Sequence, residues 1–248
     1  MCASHFNLVA TLRSRMKAWL GRSAAVAMGA LLGLGATELN AANIERLETG
    51  RIDAAIFMIN GSFAGGETIE LQRHIAKLPT NMPVSVILNS PGGSLQEGLQ
   101  LGEFFFKARI STFVMGYGGG CFSACSLAFL GGRDAKTGKP SRVKMDGGRL
   151  GFHQFVAVRS DAEKARTYTK ADMDNEIRRT RTIAFLIIKY LTSINEDMSK
   201  LHLMLKAPNS DINIVSSAES LGLGINIMRE DSDEFIEASG IQARVRRQ

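Results

Sequence analysis

The stretch VSVILNSPGGSL, residues 84–95, decides the fold. Its first five residues form an apolar run typical of a buried strand, and the Asn-Ser-Pro-Gly-Gly sequence behind them ends that strand sharply. Leu95 then opens an apolar pattern that continues to Lys107 and predicts a helix. Adjacent glycines let the backbone approach a substrate and present bare N–H groups, as an oxyanion hole requires. A tight turn without a catalytic role shows the same pattern. This segment alone therefore does not distinguish an oxyanion hole from a simple turn.

A second strand, turn and helix carry the sequence GGGCFSACSL, residues 118–127. Ile110–Met115 predicts the strand before it, and Ser123–Leu130 predicts a helix that begins at the serine. The N-terminus of a helix stabilises negative charge through its dipole and its free N–H groups, so a serine there suits nucleophilic chemistry. Without a partner residue, Ser123 is a helix cap or a small packing residue.

The remaining pattern is that of an α/β protein. Ala54–Asn60 predicts another buried strand and Glu67–Leu78 another helix, so strands and helices alternate. That order predicts a mainly parallel sheet with flanking helices, connected by right-handed crossovers. Residues 131–148, rich in Gly, Lys and Arg, predict a surface loop, and Arg149–Val158 predicts a strand that carries His153.

The C-terminal third predicts helices. Ala171–Ile194 predicts a long helix whose apolar second half, IAFLIIKYL, needs cover. Asn195 is predicted to cap a helix that runs to Lys206, because Glu and Asp fill its first turn. Ser216–Leu221 predicts a last short helix.

The N-terminal segment predicts export. Residues 1–42 combine a basic approach, an uncharged run at Ala24–Ala36 and a stretch of small residues, which is typical of a secretory signal peptide. The apolar run is too short to span a bilayer comfortably, but an uncleaved anchor that tethers the chain to a membrane stays open. We therefore expect an α/β domain at residues 43–230, a polar tail at 231–248, and a periplasmic or otherwise exported location.

Charge gives no sign of a nucleic-acid partner. The chain has 30 Lys and Arg against 24 Asp and Glu, a formal charge of +6. Four of these basic residues and one of the acids lie in residues 1–42, so only +3 remains for the rest of the chain. No basic stripe stands out in that remainder.

Two cysteines, Cys121 and Cys125, remain when the N-terminal segment is set aside. In an oxidising compartment an isolated pair favours a disulfide. Two small buried thiols at a tightly packed turn are the alternative. No histidine or second cysteine pair lies nearby in sequence, so we expect neither a metal nor a cofactor.

Several short motifs resemble a known family. LNSPGGS at 88–94, GGGCFSAC at 118–125, LGFHQ at 150–154 and SSAESLGLGI at 216–225 resemble, in this order, the proteolytic subunit of Clp protease and its relatives in the crotonase-like superfamily. The resemblance covers Ala54–Ile227. It implies a crotonase-like fold of stacked ββα units and a serine-hydrolase site.

The resemblance also implies a role for each matching residue. Ser123 becomes the nucleophile and His153 its general base. The backbone N–H groups of Gly93, supported by Gly92, and of Ala124 become the oxyanion hole. A serine needs such a base, since its hydroxyl is a weak nucleophile at neutral pH. His74 and His202 lie on predicted helices and are expected at the surface and in a structural role, respectively.

The third catalytic residue is harder to place. The resemblance puts an acid before the SSAESLGL helix, where Asp211 is the candidate, but its offset from that helix does not match the family pattern. A Ser-His dyad without an acid, or one oriented by a backbone carbonyl, stays open. Phe122 and Cys125 stand where the family has small residues beside the serine.

These features together predict an exported serine hydrolase, a peptidase acting on a peptide or protein substrate. The alternative is a catalytically inactive domain of the same fold that binds a peptide or protein partner. Because Clp-type relatives form rings through the helix after the histidine strand, the apolar residues Ile183–Leu191 predict a homo-oligomer.

Overall fold

The computed structural model describes residues 41–50, 52–116, 119–154, 169–206, 211–232 and 234–238. The predicted signal segment therefore lies outside the described residues, apart from Ala41 and Ala42. The strands are β1 Asn43–Arg46, β2 Ala55–Asn60, β3 Val84–Asn89, β4 Ser111–Val114, β5 Gly120–Phe122, β6 Arg142–Met145, β7 Arg149–Phe152, β8 Asn213–Ile214, β9 Asn226–Met228 and β10 Phe235–Ile236. The helices are α1 Glu67–Ile75, α2 Leu95–Ala108, α3 Ala124–Leu130, α4 Lys170–Ser193, α5 Leu201–Lys206 and α6 Ser217–Gly222.

Two sheets organise the described part of the chain. The larger has seven strands in the order β1-β2-β3-β4-β6-β9-β10, parallel from β2 to β9 with an antiparallel strand at each edge. The smaller has the order β5-β7-β8, with β5 parallel to β7 and β8 antiparallel to β7. The prediction of a mixed α/β fold with a mostly parallel sheet and flanking helices is confirmed.

The core lies on both faces of the larger sheet. On one face, side chains of α2 and α3 such as Phe105 and Phe129 pack against Val86 and Leu88 of β3. The opposite face carries a separate cluster of Ile56, Met58, Ile87, Phe113, Met115, Val143, Met145 and Met228. Parallel strands buried on both faces are apolar throughout, which is why the sequence shows them as continuous runs.

Residues 131–148 were predicted as a surface loop, and this prediction is wrong for β6. Arg142–Met145 is a fully buried strand between β4 and β9. Its sequence alternates cations with apolar residues, so Val143 and Met145 enter the apolar cluster while Arg142 and Lys144 share the other face. Lys144 donates to the carbonyl of Gly148 at 3.1 Å, and burial lowers its pKa.

A buried ionic cluster explains how Arg142 is accommodated. Glu196 lies 2.6 Å from Arg142, 2.8 Å from Lys200 and 3.3 Å from Arg133, and all four side chains are at least nine-tenths buried. Burial alone would raise the pKa of the Glu196 carboxyl, but the charge of Arg142 and the hydrogen bonds from Arg142 and Lys200 leave that pKa below its ordinary value. The carboxylate is therefore ionised and holds β6 to the segment after α4.

The same cluster corrects the predicted helix cap at Asn195. The chain turns at Asn195, whose φ is 55°, and directs Glu196 into the core. Asp197 is the capping residue instead, since its side chain accepts a hydrogen bond from the Ser199 amide at 2.7 Å. The helical segment therefore begins later, with a short 3₁₀ turn before α5.

The N-terminal part of α4 has no buried side chain. The buried side chains of α4 are Ile187, Tyr190 and Leu191, all in the C-terminal part. The preceding residues 170–186 are exposed or half-buried, a length of about 25 Å at the helical rise. Among the described residues, no helix combines the length and the apolar character needed to cross a membrane.

Glu196→Gln should lower the free energy of unfolding by about 3–5 kcal/mol at pH 7, because it leaves buried cations without their carboxylate. Urea unfolding measures the loss. Since the pKa of Glu196 is depressed in the folded chain, the stabilisation is present above roughly pH 4.3 and disappears as the pH falls through the folded-state value. The exposed pair of Arg229 and Glu234 supplies the control, as Glu234→Gln should cost under about 1 kcal/mol. Equal losses in the two variants would contradict the role given to Glu196.

Candidate active site

Ser123 forms a sharp turn between β5 and α3. Its backbone has φ 59° and ψ −125°, a conformation that a residue with a Cβ rarely adopts. The turn is fixed by the backbone, since the Ser123 amide donates to Gly151 at 3.1 Å and its carbonyl accepts from the Ser126 amide, also at 3.1 Å. The Ser123 hydroxyl makes no hydrogen bond to any described residue. A strained serine between a strand and a helix is the arrangement that exposes the nucleophile in α/β-hydrolases.

The Pro-Gly-Gly segment lies directly against this serine. Ser90 pairs with β5, since its amide donates to Gly120 at 2.8 Å and its carbonyl accepts from Phe122 at 3.0 Å. A Cβ on Gly92 would lie 2.7 Å from the Cβ of Ser123. Gly92 also has a φ of 97°, so both its conformation and its surroundings require glycine. The two glycine-rich turns recognised in the sequence therefore meet in space.

Two backbone amides at this meeting point are open. The Gly92 carbonyl accepts from the Phe63 amide at 2.7 Å, and in a trans peptide the Gly93 N–H points the opposite way, toward the edge that β5 occupies. Ala124 is the first residue of α3, so its N–H has no acceptor within the helix. Within the described part of the chain, neither the Gly93 nor the Ala124 amide donates a hydrogen bond. The two donors can accept an oxyanion beside Ser123.

His153 follows β7 directly. Phe122 pairs with Gly151 in parallel register, so Ser123 and His153 come just after the carboxyl ends of neighbouring strands. The half-buried imidazole places Nδ1 at 2.6 Å from the carbonyl oxygen of Gln154. Because a carbonyl can only accept, Nδ1 carries the proton and Nε2 of the neutral ring is left as the basic nitrogen. In this structure the Ser123 hydroxyl and His153 are not hydrogen-bonded to each other.

Asp211 is not joined to His153. It is exposed, and it forms no hydrogen bond or ion pair with another described residue. β8 pairs with β7 so that Asn213 lies opposite Phe152, and continuing this register puts Ile212 opposite His153. A Cβ on Gly151 would overlap the Ile212 side chain, which shows that Ile212 lies on that face. The extended register thus places an apolar residue opposite His153, and the catalytic role of Asp211 stays a prediction.

An apolar surface borders the site on the small sheet. The Phe122 ring covers Gly120 and Gly151, and the Arg149 guanidinium lies 5.3 Å from its centroid. Ile212 and Ile214, both about half exposed, extend this surface along β8. Such a surface suits an apolar side chain of a substrate bound at Ser123.

The sequence did not reveal two polar residues that support the site. The Asn89 side chain at the end of β3 donates to Asn60 at 2.6 Å and accepts from the Gly120 amide at 3.0 Å, so it joins the ends of three strands. The buried Glu97 carboxylate accepts from the Gly66 amide at 3.0 Å and from Thr68. The Asn residues that end both β2 and β3 are the sequence signal that could have indicated the first of these roles.

The other two histidines and the two cysteines have defined contacts in the structure. His74 on α1 lies 3.8 Å from Glu70, and His202 on α5 directs Nδ1 to the Ser199 carbonyl. The sulfurs of Cys121 and Cys125 are joined in a disulfide, with a Cα separation of 5.2 Å. No group of three or more His, Cys, Asp or Glu side chains among the described residues is arranged to hold a metal ion.

The arrangement of sheet and helices is that of a Clp protease-like fold. A ClpP1 mutant from Listeria monocytogenes matches 72% of this chain and 93% of its own length, with a TM-score of 0.50 and 15% sequence identity. At this identity the similarity establishes the fold alone. No family model matches the chain. No curated protein matches it in sequence either.

Gly92→Ala should lower the free energy of unfolding by about 1–3 kcal/mol, since the new Cβ would press on Ser123 and Phe122 in a backbone conformation that alanine rarely adopts. Urea unfolding is the measurement. Gly222→Ala is the matched control, because Gly222 ends α6 with nothing within 4 Å of the added atom. A Gly92 variant as stable as the control would contradict the contact between the two turns.

Proposed function

We propose that this chain is an exported serine hydrolase that cleaves peptide bonds, with Ser123 as nucleophile and His153 as base. The observation that carries the proposal is the strained Ser123, packed against Gly92 and bordered by the open amides of Gly93 and Ala124. Such fixed donors, aimed where negative charge develops, supply one of the largest contributions to acyl-transfer catalysis.

The chemistry follows from these positions. The Ser123 oxygen attacks the scissile carbonyl as Nε2 of His153 takes the hydroxyl proton. The carbonyl oxygen gains the negative charge and accepts from Gly93 and Ala124. The imidazolium then protonates the leaving amine, and a water molecule activated by the same ring hydrolyses the acyl-enzyme. Substrate binding has to bring the hydroxyl and Nε2 to about 2.6–3.2 Å.

The Gln154 carbonyl replaces the acid in this proposal. It accepts from Nδ1 at 2.6 Å, which fixes the tautomer in which Nε2 is the basic nitrogen. A carbonyl carries no net charge, so it stabilises the imidazolium less than a carboxylate does. We therefore propose a Ser-His dyad, with Asp211 as the alternative third member.

We also propose a superfamily and a cellular location for this chain. The motifs around Ser123 and His153 support membership of the crotonase-like superfamily with its stacked ββα units. The disulfide between Cys121 and Cys125 supports an oxidising, periplasmic or otherwise exported compartment, since such bonds are rare in the cytosol. The signal-like or anchor-like residues 1–42 agree with export.

Ser123→Ala should abolish labelling of the protein by a fluorophosphonate probe, because the probe needs an activated serine oxygen. Mass spectrometry of the labelled wild type should place the adduct on Ser123. Ser126→Ala is the control, since its hydroxyl is already bonded to the Ser123 carbonyl at 2.7 Å. A folded wild-type protein that takes up no probe, or takes it up elsewhere, would overturn the proposed nucleophile.

Asp211→Asn should change the labelling rate by less than about threefold, because the exposed carboxylate has no contact with the imidazole. Removing the charge of a true triad acid costs roughly 10⁴-fold. The rate constant is obtained from the time course of probe incorporation at pH 7. A loss of several hundredfold would reinstate Asp211 and exclude the dyad.

A second candidate function is a catalytically inactive domain that binds a peptide or protein partner. Ser123 makes no hydrogen bond to His153, and the register between β7 and β8 places Ile212 opposite His153; both observations favour this candidate. It predicts that Ser123→Ala and His153→Ala leave the cellular effect of the protein unchanged, measured by complementation of a deletion strain. Loss of complementation with normal protein levels would exclude it.

Self-association through α4 is the proposed mode of assembly. Phe185 is 64% exposed, and Met173, Ile177 and Ile188 are between two-fifths and one-half exposed on the same helix. An exposed apolar surface of this kind is typical of an interaction site. A second copy of the chain is the proposed partner.

Phe185→Glu should shift the protein toward monomer, because it buries a charge in the proposed interface. Light scattering at micromolar concentration measures the mass. Leu205→Glu is the control, since Leu205 on α5 is 69% exposed and outside that interface. A sharp monomer in the wild type would remove the proposal.

A further inference from the structure

The disulfide encloses the candidate nucleophile. Cys121 and Cys125 are four positions apart, so Ser123 is the central residue of the closed loop. The Ala124 amide, one of the two open donors, belongs to the same loop. A single covalent bond therefore constrains both the nucleophile and half of the oxyanion hole.

Each end of the bridge is held by a rigid element. Cys121 is the middle residue of β5 and is paired with Ser90 on one side and Leu150 on the other. Cys125 lies in the first turn of α3, a helix whose side chains are all buried. Both cysteines are fully buried. The bridge thus ties a fixed strand to a fixed helix across the turn between them.

The turn needs such a constraint because its backbone conformation is unfavourable. Ser123 has a positive φ without being glycine, and such a residue persists only where its surroundings over-determine it. The stabilisation that a disulfide gives to the whole fold grows with the length of the loop it closes. This loop is very short, so the effect of the bridge is concentrated at the turn itself.

We propose that the Cys121–Cys125 disulfide is a positioning device that holds Ser123 and the Ala124 amide in their reactive geometry, so that hydrolysis requires the oxidised chain. This inference rests on the proposed function of Ser123. Reduction breaks the sulfur–sulfur bond, and each sulfur takes up one electron and one proton from a dithiol, which becomes a disulfide. Because both sulfurs are buried, a reductant reaches them only when α3 opens.

The test compares the wild type with the double variant Cys121→Ala/Cys125→Ala, using a fluorophosphonate probe. We expect the maximal labelling rate, kinact, to fall roughly 10- to 100-fold with the half-saturating probe concentration within about threefold, since displacement of a reacting group acts on the chemical step. Wild-type protein reduced by dithiothreitol in mild denaturant should show the same loss and regain its rate on reoxidation by oxidised glutathione. The double variant should not respond to either reagent.

A matched control separates positioning from loss of stability. Ile225→Ala removes a fully buried side chain outside the loop, and it should lower stability without lowering kinact. Hydrogen exchange supplies a measurement that is independent of activity. The Ser126 and Leu127 amides, which bond to the Ser123 carbonyl, should exchange at least tenfold faster in the double variant, while those of β3 are unchanged.

The outcomes are distinct. A folded double variant with wild-type kinact, or with wild-type exchange at Ser126 and Leu127, overturns the positioning role. Oxidised wild-type protein that takes up no probe overturns the proposed hydrolase, and the exchange measurement then still decides whether the bridge orders the turn.

Discussion

The contact between Gly92 and Ser123 is the constraint on which the site depends. The Pro-Gly-Gly segment continues the chain beyond the end of β3. Gly93 pairs with Phe63, which follows β2, and Ser90 pairs with Cys121 of β5. A side chain at Gly92 would overlap the turn that carries Ser123. The absence of a side chain there lets two strand-to-helix turns approach closely enough to form the proposed oxyanion site. The small sheet then adds His153, because β7 pairs with β5 in parallel register.

The position of the site follows from the topology. The carboxyl ends of β3, β5 and β7 all lie at this point. α2 begins after the Pro-Gly-Gly turn that follows β3, and α3 begins directly after Ser123. Helix N-termini present free N–H groups and a positive dipole, so negative charge is favoured where they meet. The fold therefore supplies electrostatic stabilisation before any side chain takes part. In the proposed function, the Ser123 and His153 side chains add the nucleophile and the proton transfer.

The strands and helices whose signal lies in the local sequence pattern were predicted from the sequence. The apolar runs of β2, β3 and β4 and the periodicity of α2 and α4 were sufficient, because elements buried on one or both faces carry that signal themselves. β6 was missed because its two cations are typical of a surface segment. Arg142 is paired with Glu196, a residue distant in sequence that no local pattern connects to it, and Lys144 donates to the Gly148 carbonyl. The position of Ile212 opposite His153 was hidden for a similar reason, since it depends on the register between β7 and β8. Short motifs located the serine and the glycines, whereas long-range pairing decides their environment.

The most direct test of the account is a crystal structure of the protein after reaction with a fluorophosphonate. We expect phosphorus bonded to the Ser123 oxygen, with the phosphonyl oxygen about 2.7–3.1 Å from the amide nitrogens of both Gly93 and Ala124. We also expect Nε2 of His153 on the opposite side of the same phosphorus. A phosphonyl oxygen that points into solvent, away from both amides, would contradict the claim that the two turns form one oxyanion site.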